Sequence, residues 1–157
     1  MTLPGNNGKQ VQLHSINPRW RCFRYRQDCE YRPHIDGSWP HSYLDPETGK
    51  YCCPKQQQQQ QQPSGDGDNS NNSNHIKSYL TCLIYLNDDF EGGETRFYLA
   101  SSSGDSGGVV RGIVPRTGSI LLFPQGNTAS LIHEGSLVSK GTKYVVRTDV
   151  LYEPPII

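Results

Sequence analysis

No stretch of this chain keeps apolar residues at helical spacing over three turns, and that absence limits the fold more than any other feature. The apolar residues come instead in short runs at 21–26, 31–36, 77–86, 95–99, 109–114, 119–123 and 143–152, rich in Val, Ile, Thr, Tyr and Phe. Asp45-Pro46, Gly92-Gly93, Gly107-Gly108, the stretch from Pro124 to Asn127, and Gly141 punctuate them as turns. Ser15 to Trp20 is too short to stand as a helix, and no internal repeat is visible. Many short strands with glycine-rich turns predict an all-β sandwich or jelly roll.

The 157 residues suit one domain with a real core, 1–157, and are too few for two ordinary ones. Within it, residues 56–74 begin with seven glutamines and continue in Pro, Ser, Gly, Asp and Asn. That composition cannot bury enough apolar surface to offset the entropy of ordering, so the stretch is predicted to be a disordered polar insertion, a passive surface loop rather than a boundary. Fifteen basic and fifteen acidic residues cancel, which removes any global reason to expect a polyanionic partner. The N-terminus has no apolar signal region and no later segment has the apolar length of a membrane span, so the expectation is an intracellular, soluble protein. Five cysteines form no even framework and are expected to be free thiols; Cys52 and Cys53 have no second Cys/His pair at zinc-finger spacing.

Chemistry is concentrated in Tyr-Arg-Pro-His34-Ile-Asp36 and, far downstream, in Ile-His133-Glu-Gly. On a strand, residues two apart share a face with Cα atoms about 6.6 Å apart, so His34 and Asp36 can reach one metal while Ile35 packs the other way. Two imidazoles and one carboxylate are the ligand set of a mononuclear iron(II) site with open positions for substrate. His-x-Asp is common by chance, so the pair alone decides nothing. Ten residues after His133 comes Lys143, and Val145 and Arg147 share its face by alternation. Either cation can balance a buried carboxylate of a cosubstrate, with Lys143 preferred for its spacing. The hydroxyls of Tyr25 and Tyr85 are further candidates for carboxylate contacts.

In order along the chain, Tyr25, Tyr31-Arg-Pro-His-Ile-Asp36, Thr81-Cys-Leu-Ile-Tyr-Leu86, Gly92-Gly-Glu-Thr95, Gly118-Ser-Ile-Leu-Leu-Phe-Pro124 and His133-Glu-Gly with Lys143 resemble the prolyl 4-hydroxylase branch of the Fe(II)/2-oxoglutarate dioxygenases. The resemblance implies a double-stranded β-helix (jelly-roll, cupin-like) with His34, Asp36 and His133 as iron ligands and Lys143 as partner of the distal 2-oxoglutarate carboxylate. It also implies that Thr95 assists Lys143, that Tyr25 and Tyr85 line the cosubstrate pocket, and that 118–124 is a buried core strand. Fe(II), 2-oxoglutarate and O2 would be the cofactor and cosubstrates, with ascorbate as a candidate reductant. The activity implied is hydroxylation of a C–H bond with release of succinate and CO2, on prolyl residues of a protein or peptide. Iron(II), one aspartate, Lys143 and a doubly charged cosubstrate would sum to a neutral assembly, tolerable in a barrel of low dielectric.

Only about twenty residues, few of them apolar, precede the Tyr25 strand, where family members carry helices behind the larger sheet, so the expectation is either a trimmed gene product or a minimal barrel. Residues 37–74, with Trp39, Tyr43 and Tyr51, stand where relatives carry a substrate-covering loop and are expected to form a partly ordered lid. Arg19, Arg21, Arg24, Arg26 and Arg32, interleaved with aromatics, could serve an acidic peptide or nucleic acid, but a solvated strand face is the preferred explanation. Nucleic-acid dealkylating relatives carry two arginines in the last strand region, where this chain has only Arg147, so a nucleic-acid-directed oxygenase of the same superfamily stays open as an alternative but fits less well. The competing reading from another class is a catalytically silent jelly-roll module that keeps a structural metal site.

Overall fold

The computed structural model describes residues 2–4, 10–52, 76–99, 109–125 and 131–153. Among these residues there is no helix; the strands are β1 (Thr2–Pro4), β2 (Gln10–Ile16), β3 (Arg21–Arg26), β4 (Tyr31–His34), β5 (Tyr43–Leu44), β6 (Tyr51–Cys52), β7 (Lys77–Tyr85), β8 (Glu91–Gly92), β9 (Thr95–Leu99), β10 (Val109–Ile113), β11 (Ile120–Pro124), β12 (Ile132–Gly135), β13 (Val138–Lys140) and β14 (Thr142–Glu153). The long β14 organises them. Along one edge it pairs with β3 through 142–147 and with β2 through 150–153, and along the other it pairs with β7, which in turn pairs with β11. A second sheet runs β10-β9-β12-β4, and all these pairings are antiparallel.

The winding is read from eight strands: β3, β4, β7, β9, β10, β11, β12 and β14. Counted in chain order, the first, eighth, third and sixth form the larger sheet, and the second, seventh, fourth and fifth the smaller. The chain therefore alternates between two facing sheets as a double-stranded β-helix, the expected jelly roll. Side-chain alternation fills the space between them: Tyr85, Phe123 and Val145 from the larger sheet and Phe97 from the smaller are buried, and the Phe97 and Phe123 rings meet edge to face at 5.2 Å. Leu80, Cys82 and Val150 point to the other face of the larger sheet, where Val11 of β2 and Tyr152 complete a second apolar cluster.

Four places bear on the sequence expectations. Strand β2 lies in the region read as short of apolar residues; Val11 alone, fully buried, anchors it. The run at 31–36 stops as a strand at His34, so Asp36 sits beyond its end. The 118–124 segment is not a buried strand: β11 is an outer strand of its sheet, and Ile120 and Leu122, 62% and 50% exposed, face the side over which no described helix is laid. The first part of the expected lid is tied down. Trp39 N–H donates to Ser78 Oγ (2.7 Å), Ser78 N–H to the Trp39 carbonyl (2.8 Å), and His41 N–H to the Ile76 carbonyl (3.3 Å). The 56–74 insertion, Cys53 and the Gly107-Gly108 turn lie outside the described residues. Cys22, Cys29, Cys52 and Cys82 are free thiols.

Candidate metal centre

Strands β4 and β12 pair so that His34 and His133 are direct cross-strand neighbours, with ring centroids 4.2 Å apart. Asp36, just past β4, turns its carboxylate toward both rings: His34 Nε2 lies 3.4 Å from Oδ1 and His133 Nε2 3.6 Å from Oδ2. One ligand atom from each of the three residues falls within 4.8 Å of the others. Asp36 and His133 are buried, while His34 is half-buried and carries the edge of Tyr31 against its ring at 4.4 Å.

Both imidazoles are oriented in the same way. Nδ1 of His34 bonds the Arg32 carbonyl at 2.8 Å and Nδ1 of His133 the Leu131 carbonyl at 3.0 Å. A carbonyl only accepts, so Nδ1 carries the proton in each ring and Nε2 keeps its lone pair toward Asp36. Burial against Phe97 and Phe123 lowers the His133 pKa, as do His34 and Arg147, against the opposing effects of the Leu131 carbonyl and Asp36. The neutral, ligating form of the ring is thereby favoured.

The aspartate is held from two sides. Thr81 Oγ1 donates to Oδ2 at 2.6 Å and Arg147 Nη1 donates to Oδ1 at 2.7 Å. Gln125 Nε2 donates to Thr81 Oγ1 (2.7 Å) and to Asp149 Oδ1 (2.8 Å), and the other oxygen of Asp149 accepts from Arg21 Nη2 at 2.8 Å. Arg147, the rival of Lys143 in the sequence, is therefore engaged with Asp36 and Asp149.

Lys143 is 4% exposed and pairs with no carboxylate among the described residues. Its Nζ donates to the Gly93 carbonyl at 2.6 Å and lies 5.7 Å and 5.4 Å from the ring centroids of Tyr25 and Tyr85. Desolvation lowers its pKa from 10.5 to about 8. Tyr25, half-buried, is pushed up to about 12 by desolvation and by Tyr31, with Arg147 opposing, so its hydroxyl stays protonated. Tyr85 shares a hydrogen bond of 2.7 Å with Thr95 Oγ1. A cavity of about 60 Å³ joins these groups: the three ligand candidates, Tyr25, Thr95, Lys143 and Arg147 all line it. Of the residues expected to bind iron or cosubstrate, Tyr85 alone does not, and it reaches the site through Thr95.

The sequence reading gave no role to Thr81, Gln125 or Asp149. For Asp149 a signal existed, since strand alternation places it on the face of Lys143, Val145 and Arg147. Gln125 follows β11 and carried none.

The donor set fits a divalent iron: two neutral imidazole nitrogens and one carboxylate, beside a cavity that leaves room for other ligands. No curated protein matches the chain. Among solved structures it is similar to the viral collagen prolyl hydroxylase of Paramecium Bursaria Chlorella virus-1 in its 2OG complex, with 18% identity and a TM-score of 0.41, over 86% of this chain and 62% of that one. The chain thus spans under two thirds of that enzyme's length. The sequence model of the 2OG-Fe(II) oxygenase superfamily matches residues 20–148, most of the molecule, with His34, Asp36, His133 and Lys143 inside the match, and the chain belongs to that superfamily.

Proposed function

We propose that the protein is an Fe(II)- and 2-oxoglutarate-dependent dioxygenase in which His34, Asp36 and His133 hold the iron and Lys143 pairs with the distal carboxylate of 2-oxoglutarate. The observation that carries this reading is Lys143. A buried ammonium with no carboxylate partner among the described residues, in the same cavity as a His/Asp/His cluster, is a costly arrangement for a module that only binds metal. It suits a site that receives an anion.

Iron bound with 2-oxoglutarate supplies the oxidising chemistry: O2 cleavage coupled to decarboxylation of the keto acid and hydroxylation of a C–H bond. The chain's own groups do the rest. Nδ1–H bonds to the Arg32 and Leu131 carbonyls keep both imidazoles turned to the metal. Lys143 would offer its charge to that carboxylate, with Tyr25 and Thr95 beside it on the cavity wall and Tyr85 bonded to Thr95. Phe97 and Phe123 pack on His133 and keep water from that side of the site. A prolyl residue of a protein or peptide is the proposed substrate, supported by the order of motifs shared with the prolyl 4-hydroxylase branch, and ascorbate the proposed reductant.

The test is an anaerobic optical titration with Fe(II) and 2-oxoglutarate. The expected result is a visible metal-to-ligand charge-transfer band that is absent in His133→Ala and is lost on admitting oxygen as succinate accumulates. Folded protein that binds metal but gives no band would leave the silent-module reading standing.

A further inference from the structure

The polar groups behind Asp36 form a closed ring. From Asp36 Oδ1 it passes to Arg147 Nη1 (2.7 Å), from Arg147 Nη2 to Asp149 Oδ1 (3.6 Å), then through Gln125 Nε2 (2.8 Å) to Thr81 Oγ1 (2.7 Å) and back to Asp36 Oδ2 (2.6 Å). Asp36, Thr81, Gln125 and Asp149 are all buried. Gln125 is itself fixed, since its Oε1 accepts from Ser78 Oγ at 2.5 Å. Two carboxylates, Asp36 and Asp149, face two guanidiniums, Arg147 and Arg21, so the ring and its Arg21 spur are electrically balanced before any metal arrives.

A carboxylate alone on its Cβ–Cγ bond can rotate. With one charge-assisted donor on Oδ1 and a hydroxyl on Oδ2, its plane is set, and the lone pairs left over face the two Nε2 atoms. Asp149 restrains the arginine in turn. We infer that Arg147 is a positioning residue for the metal: it orients the Asp36 carboxylate, anchored by Asp149, and does not serve the cosubstrate. This rests on the metal-site reading above and assigns its outer shell. Arg147 as a cation also repels a divalent ion, so deleting it alone mixes lost orientation with lost repulsion. Replacing Arg147 and Asp149 together removes one charge of each sign and isolates orientation.

The experiment is a pair of anaerobic titrations on Arg147→Met/Asp149→Asn: Fe(II) affinity by competition with a chromophoric chelator, and 2-oxoglutarate affinity at saturating Fe(II). Fe(II) affinity is expected to fall about 10–100-fold, as for other outer-shell partners, with 2-oxoglutarate affinity within about twofold of wild type. Unchanged Fe(II) affinity, or a loss confined to 2-oxoglutarate, overturns the role. Should the double variant fail to fold, Thr81→Val removes only the donor to Oδ2 and is expected to weaken Fe(II) in the same direction; no change there overturns the orienting ring. Wild-type protein that takes no Fe(II) from the chelator would sink the metal site itself, a separate result.

Discussion

Lys143 holds a charge in a place that resists it, and its titration is a handle on the site. Because burial brings its pKa to about 8, the ammonium is lost as pH rises through that value in the protein without cosubstrate. The dissociation constant for 2-oxoglutarate is expected to be flat just below pH 8 and to rise about tenfold per unit above it, as measured by isothermal titration. In Lys143→Ala binding should be weak throughout, with no inflection near 8 and Fe(II) affinity spared. Stability has its own sign: unfolded, the lysine keeps its proton to 10.5, so between about 8 and 10.5 the unfolded chain holds more protons and stability rises with pH. That His34, Asp36, His133 and Lys143 gather about one cavity was legible from the order and spacing of the family motifs rather than from strand period, since Asp36 lies past the end of β4. The engagement of Arg147 with Asp36 was not, because alternation gives a side chain's face but not how far a long guanidinium reaches across the barrel.

At the scale of elements, Gly92 and Gly93 join β8 to the strand that carries Thr95, both at positive φ of 75° and 65°. A Cβ on Gly93 would stand 2.9 Å from the Phe90 ring and 3.3 Å from Lys143 Cδ, while the Gly93 carbonyl accepts from Nζ. Gly93→Ala is therefore expected to cost about 1–2 kcal/mol in strain, read as a lower denaturation midpoint, and to weaken 2-oxoglutarate several-fold with Fe(II) affinity unchanged. Equal loss of both affinities would show a collapsed site rather than a displaced lysine. The turn was legible as Gly-Gly, and all seven runs became strands near their expected bounds. Seven strands had no expected run, and two of them show the physical reason. In β12, Ile-His-Glu-Gly has one apolar residue, and its place is fixed by partners on both edges, β4 and β9. In β2, Val11 and Leu13 alternate among glutamines, a weak pattern confirmed only by the cluster that Val11 enters.

For the whole molecule, a metal at this site would bind the folded state alone, since His34 and His133 are separated by residues 35–132. At a free Fe(II) concentration about 100 times its dissociation constant, the stabilisation is about 2.7 kcal/mol, which for a chain of this size raises the melting temperature by roughly 5–10 °C. Anaerobic calorimetry with Fe(II) and then with chelator is expected to show that difference, and His34→Ala to lose it. A shift retained in the variant would place the metal elsewhere. The cross-strand pairing of the two histidines also has a meaning in time. During synthesis His34 and Asp36 emerge early as two donors of a three-donor set, and the third arrives only when β12 has been made and seated between β4 and β9. Such long-range pairings form slowly. On the proposed ligand assignment, firm iron binding would wait until β12 is made and seated, so iron capture would report a folded barrel and pass over the nascent His34–Asp36 segment.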